Sequence, residues 1–176
     1  MSALTQLNFP RFVFRMRLME NPPKIWDAVR RRWLVLTPEE WVRQHLIRLL
    51  VERGGVPPGN VSQEYPVALS GAAQRADVVV TGRDGRPCLL AECKAPDVPL
   101  GREVFAQAVR YNSVVAAPYV LITNGLQQPR SFYRTLCGRG RPARFIPISG
   151  DLAIEAYIRP ASPTWFSSIP FSVRRP

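Results

Sequence analysis

What this 176-residue chain holds little of sets the first bounds. It has one histidine, His45, which removes imidazole-based metal clusters and argues against histidine-dependent phosphodiester chemistry. Its three cysteines, Cys88, Cys93 and Cys137, are odd in number and show no CxxC spacing. That argues against a zinc centre or a disulfide framework and suits a reducing cytoplasm. No apolar run reaches the roughly 18 residues of a membrane span, so no membrane partner is expected. The start of the chain lacks the charged head and continuous apolar stretch of a secretory signal, which again points to a cytoplasmic location. No Walker-type phosphate loop appears, so ATP-driven translocation is not expected of this chain. Lysine is scarce as well: of 24 basic side chains only Lys24 and Lys94 are lysines.

Acidic residues are missing from one long stretch. Between Val104 and Gly150 there is no Asp or Glu, while Arg110, Arg130, Arg134, Arg139, Arg141 and Arg144 all fall there. A second basic cluster, Arg30-Arg31-Arg32, adjoins Trp33. With a net charge of +11 and a pI near 10.7, this segregation favours a polyanionic partner. The bland alternative is an arginine-rich background spread over a solvated surface.

With 46% hydrophobic residues the chain can build a core. Residues 1–36 read as an arm or short hairpin, with Trp26 and Trp33 packed on a main domain spanning 37–150. Thr37, Pro38 and Glu40 spell a helix start with a capping box, and the helix is expected to run to about Arg53. Gly54-Gly55 stops it. Strands follow over 61–69, 76–81 and 88–94, the last two joined by the hairpin signal Asp84-Gly85. A second helix is expected over 102–116, a buried strand over 119–123, and short strands over 132–136 and 144–148. Residues 151–176 read as an irregular tail. The expected fold class is α/β: an αβββαβ core with a central mixed sheet flanked by helices.

The chemistry gathers on the middle strands. Residues i and i+2 of a strand share a face, so Glu92 and Lys94 stand together on an otherwise apolar segment. Asp77 opens the Val78-Val79-Val80 run, where a charge wants a partner or a metal. It joins the pair if the hairpin register lets them share a face. Two carboxylates and the Cys93 carbonyl form an oxygen-rich site suited to Mg²⁺ or Mn²⁺, with the Cys93 thiol turned to the opposite, core side. Gln107 and Tyr111 lie one turn apart on the packed face of the second helix and want polar partners. At 100° per residue Glu39 falls near the apolar stripe of the first helix and Glu40 away from it. That assigns Glu40 to capping and Glu39 to the site, although an acidic first turn also suits the helix dipole. His45 reads as a half-buried helix residue.

These motifs resemble the PD-(D/E)XK nuclease superfamily, and more narrowly the N-terminal nuclease domain of type I restriction enzyme R subunits and its small relatives. The segments carrying the match are residues 37–44, Arg75-Ala76-Asp77-Val78-Val79, Glu92-Cys93-Lys94-Ala95-Pro96 and Gln107 to Asn112, within roughly residues 35–150. The resemblance implies a metal-dependent DNA endonuclease or exonuclease. Asp77 and Glu92 would hold one or two Mg²⁺ ions with Glu39 ligating through water, and Lys94 would orient the attacking water or stabilise the developing negative charge. Gln107 and Tyr111 would position the active residues or a DNA phosphate. Arg43, Arg110, Arg130 and Arg134 are the arginines expected to face DNA. A separate helicase or translocase, or other restriction subunits, are the implied protein partners. Two alternatives stay open: a nuclease-fold module that binds nucleic acid without cutting, alone or beside a motor, and a basic RNA-binding protein without a metal.

Overall fold

The structure is a computed structural model of the chain and describes residues 4–69, 72–126, 131–136 and 144–148. At the N-terminal end three short strands, β1 (Met16–Arg17), β2 (Lys24–Asp27) and β3 (Arg32–Val35), pair antiparallel in that order. Strand alternation decides what each face carries. Ile25 and Asp27 are fully buried, and enclosing the Ile25 side chain contributes about 2 kcal/mol. Trp26 therefore takes the other face, where it meets Trp33 edge to face at 5.4 Å. The tryptophans were expected to pack on the main domain. They remain half-buried because Ile25 occupies the inward position of β2.

The buried Asp27 carboxylate closes the β2–β3 turn by accepting the backbone N–H groups of Val29 and Arg30. It also accepts from Arg30 Nε at 2.6 Å and Gln63 Nε2 at 2.8 Å, tying this small sheet to the main one. These bonds and the Arg30 charge hold its pKa down against the burial that raises it.

Thr37 caps α1 (Pro38–Arg48), its hydroxyl accepting the Glu40 N–H at 3.0 Å. The helical run reaches Arg53 as expected, but its α part ends at Arg48 and the last turn, Leu49–Arg53, is π-helical. Gly54 follows because a Cβ there would stand 2.6 Å from the Leu50 carbonyl oxygen.

The main sheet holds β4 (Val61–Leu69), β5 (Ala72–Thr81), β6 (Pro87–Cys93), β7 (Tyr119–Thr123), β8 (Ser131–Leu136) and β9 (Arg144–Ile148), in that spatial order. Only β6 and β7 run parallel, because α2 (Arg102–Val115) carries the chain back between them. The order α1-β4-β5-β6-α2-β7 is the expected αβββαβ core of an α/β fold. Val78, Val80, Leu89, Ala91 and Cys93 pack with Val42 and Leu46 of α1. Val79, Leu90, Val120 and Ile122 pack with Val104, Ala108 and Val115 of α2. One helix thus covers each sheet face. β5 begins four residues earlier than expected, since Ala72-Ala73-Gln74-Arg75 gives no strand signal yet pairs with β4 out to Leu69↔Ala72. Residues 151–176 and Arg130 lie outside the described residues.

One irregularity shapes the site. The β4–β5 pairing skips from Gln63↔Val78 to Tyr65↔Ala76, and Glu64 between them has a φ of 51°. Ala76 and Val79 share one cluster although strict alternation would put them on opposite faces. The strand rolls over at Asp77, which frees that carboxylate from a simple in-or-out choice.

Candidate active site

The β5–β6 register runs Val79↔Leu90 and Val78↔Ala91, so the next position sets Asp77 opposite Glu92 at the end of the ladder. Asp77 Oδ2 accepts the Cys93 backbone N–H at 2.7 Å. Its Oδ1 accepts Arg43 Nη2 at 3.0 Å. Glu92 is 2% exposed. Its Oε1 accepts Lys94 Nζ at 2.9 Å and Gln107 Nε2 at 2.6 Å. Its Oε2 is buried with no hydrogen-bond partner, a costly state for a carboxylate oxygen unless something else binds it. Gln107 closes the cluster: its Oε1 accepts Lys94 Nζ at 3.2 Å and its Nε2 donates to the Tyr111 hydroxyl at 3.2 Å. The expected residues Asp77, Glu92, Lys94, Gln107 and Tyr111 are therefore brought together. The Cys93 thiol is buried on the α1 side, and burial with the nearby Asp77 charge pushes it far above the ordinary thiol range.

Glu39 lies at the rim. Its side chain is 40% exposed and bonds Arg43 at 3.1 Å, and its charge acts on Asp77, Glu92 and Lys94. Glu40 does not fold back to complete the expected capping box, because the Thr37 N–H goes to Val35 O. The buried Glu40 carboxylate accepts instead from Arg43 at 3.1 Å and Gln44 at 2.8 Å.

Arg43 is the main correction. It was expected to face DNA, yet it is 7% exposed and its guanidinium meets Glu39, Glu40, Glu64 and Asp77 within 3.4 Å. A planar fork of donors suits such a cluster. Glu64 was not anticipated as part of this group. Nothing in the run Ser62-Gln63-Glu64-Tyr65 distinguishes it, and only strand pairing sets it beside Asp77. Arg110 is exposed on the outer side of α2. Arg134 is placed by backbone register alone, opposite Tyr119.

The charges do not balance within the cluster. Burial first, then the Asp77 charge, lifts Glu92 to about 7 despite the bonded Lys94. Burial likewise lifts Asp77, against Arg43 and the Cys93 N–H. Burial would lower Lys94, but the Glu92 hydrogen bond and the surrounding carboxylates raise it, so it stays an ammonium. Two desolvated, opposed carboxylates and an unpartnered oxygen fit a divalent cation, which takes a few carboxylates and otherwise water. Among the described residues no three Asp, Glu, His or Cys side chains gather as a ready-made ligand set. Backbone and water oxygens would have to complete the coordination.

A mixed sheet with a helix on each face, carrying paired carboxylates and an amine at the joined ends of two central strands, makes this an α/β domain with a polar cluster at its centre. Residues 38–135, more than half the chain, match the type I restriction enzyme R protein N terminus (HSDR_N), and the chain belongs to that family. A fragment assigned as the HsdR subunit of a type I restriction enzyme from Vibrio vulnificus YJ016 shares 19% identity, with a TM-score of 0.44. The likeness covers 70% of this chain and 25% of that one, so the chain spans about a quarter of that solved relative. A search of curated proteins returned no match. Among the described residues no helix is long and apolar enough to cross a membrane.

Proposed function

We propose that this chain is a metal-dependent DNA nuclease of the restriction type, hydrolysing phosphodiester bonds at the Asp77–Glu92–Lys94 cluster. The observation carrying the reading is the Glu92 carboxylate: 2% exposed, bonded through one oxygen to Lys94 and Gln107, with the other oxygen unpartnered. Asp77, Glu92 and the Cys93 carbonyl would hold Mg²⁺ or Mn²⁺, with Glu39 at the rim. The ion, when bound, supplies Lewis-acid neutralisation of charge at a phosphodiester. Lys94 keeps its proton and offers a positive charge for the attacking water or the developing oxyanion. Gln107 bonds both the Lys94 ammonium and the Glu92 carboxylate, and the Tyr111 hydroxyl accepts from the same amide. Family membership further supports a role with DNA and other restriction-system subunits.

The test is cleavage of closed-circular and linear DNA with Mg²⁺, with Mn²⁺ and with EDTA. Wild type is expected to cut only with metal. Lys94→Ala is expected to lose about 10²-fold or more in rate, as for removal of a charge-stabilising donor. Metal-independent cutting, or full activity in Lys94→Ala, would overturn the reading.

One observation favours a second reading, a DNA-binding module that does not cut. Arg43 already occupies Asp77 Oδ1 and competes with a cation there. Calorimetric titration with Mn²⁺ separates the two, since the nuclease reading requires binding that Asp77→Asn weakens.

A further inference from the structure

The β1–β3 sheet carries a composition that the nuclease site does not use. Residues 15, 17, 24, 26, 33 and 35 share one face by strand alternation and by the pairs Arg17↔Lys24, Trp26↔Trp33 and Lys24↔Val35. That face holds three cations and two tryptophans. The Arg17 guanidinium lies 4.1 Å from the centre of the Trp33 ring, and Arg15 lies 5.1 Å from Trp26 and 5.9 Å from Trp33. Arg15 is exposed and makes no ion pair among the described residues, and Glu20 is the one acid bonded to this face. A Val35 exposed by 47% lies beside them. On the opposite face Ile25 and Asp27 are fully buried.

The platform opens at one edge into a groove of about 190 Å³ between this sheet and α1. Phe14, Arg15, Trp26, Gln44 and Arg48 line it. Arg48 carries a buried Nε with no hydrogen-bond partner. The groove is also joined to the candidate active site through the hydrogen bonds Gln44 to Glu40 and Arg43 to Glu40. Glu39 and Arg48 are nine residues apart on α1, a rise of about 13 Å. That distance corresponds to roughly four nucleotides of a stacked strand.

We propose that the Arg15–Arg17–Trp26–Trp33 face and its groove bind a single-stranded segment of DNA and deliver it along α1 toward the cluster at Glu92. The proposal rests on the nuclease reading for its substrate class. Flat indole and guanidinium surfaces accept exposed base faces, which a duplex keeps stacked inside, while the arginines meet phosphates. The groove is large enough for one unstacked base and too small for a duplex.

The experiment is fluorescence anisotropy of a labelled single-stranded oligodeoxynucleotide and of its duplex, titrated with the full chain in EDTA so that no cleavage intervenes. The single strand is expected to bind more tightly. The surface double variant Arg15→Gln/Arg17→Gln should bind it about tenfold more weakly and lower the salt slope by roughly 1.4, the value for two phosphate contacts on single strands. Trp33→Ala should weaken it roughly 5- to 150-fold, and Trp33→Tyr should restore most of the loss. Circular dichroism confirms that each variant is folded, and the double variant carries the test if Trp33→Ala is not. Equal affinity in the double variant, duplex bound as tightly as single strand, or no binding at all overturns the proposal. Failure of metal-dependent cleavage overturns the proposed function instead, so the two fail on different readouts.

Discussion

Replacing Glu92 by Gln should make the metal-free protein more stable, by an amount that grows with pH. Glu92 ionises near 4.5 when unfolded and at about 7 in the fold, where burial and the Asp77 charge oppose its carboxylate. Between those values the unfolded chain binds fewer protons than the folded one, so this group's contribution to stability falls as pH rises. The full shift corresponds to about 3 kcal/mol lost above about pH 7, and only about 1 kcal/mol is lost near pH 5. An amide in the same place can accept the Lys94 bond and leaves an uncharged atom where Oε2 stands unpartnered. Glu92→Gln should therefore melt roughly 6–12 °C above wild type near pH 8 in EDTA, at about 2–4 °C per kcal/mol for a chain of this size. Near pH 5 the gap should shrink to a third. Adding Mg²⁺ should raise the melting temperature of wild type by more than that of Glu92→Gln, because the variant keeps Asp77 but loses one of the two carboxylates proposed to bind the ion. Differential scanning calorimetry at both pH values, with and without metal, reads all of this. If wild type melts as high as the variant near pH 8 without metal, the strain assigned to Glu92 is absent and the reasoning fails.

Arg43→Met should cost about 3–5 kcal/mol in urea denaturation, because it strands the Glu40 and Asp77 carboxylates that Arg43 neutralises. Arg43→Lys should recover only part of this, lacking the planar fork. Gly125→Ala should destabilise by about 1–2 kcal/mol by the same measurement, since Gly125 sits at φ 79°, where L side chains are strained. Its added Cβ would also meet Leu7 Cδ2 at 2.9 Å.

Much of the core was legible because local chemistry and tertiary need agreed. Thr37-Pro38 marked the start of α1, Asp84-Gly85 marked the β5–β6 turn, and the continuous apolar run at Tyr119 to Thr123 marked a strand buried on both faces. The grouping of Glu92, Lys94, Gln107 and Tyr111 followed from two periodicities, two residues per strand repeat and 3.6 per helical turn. What was not legible depended on partners distant in the chain. The destination of Arg43 is set by Glu64 and Asp77, 21 and 34 residues away, so its own helix position could not distinguish solvent from a nest of carboxylates. The positive φ of Glu64 has no signature in a glutamate. The facing of Trp26 was decided by Ile25 beside it, a choice of strand phase that aromatic content alone does not make.

The likeness that defines the family begins at residue 38, but the folded unit does not. Leu7 and Phe9 sit in the same cluster as Val42 and Leu46. The Asn8 N–H bonds Gly125 O at 2.7 Å, which fastens the start of the chain to the loop after β7. A shortened version cut at the family boundary would lose these plugs and bare the flank of α1 to water, so it would be a poor specimen for measuring either cleavage or binding. Leu7, Asn8 and Phe9 thus seal one side of the core against solvent, and the folded unit is larger than the stretch that carries the family likeness.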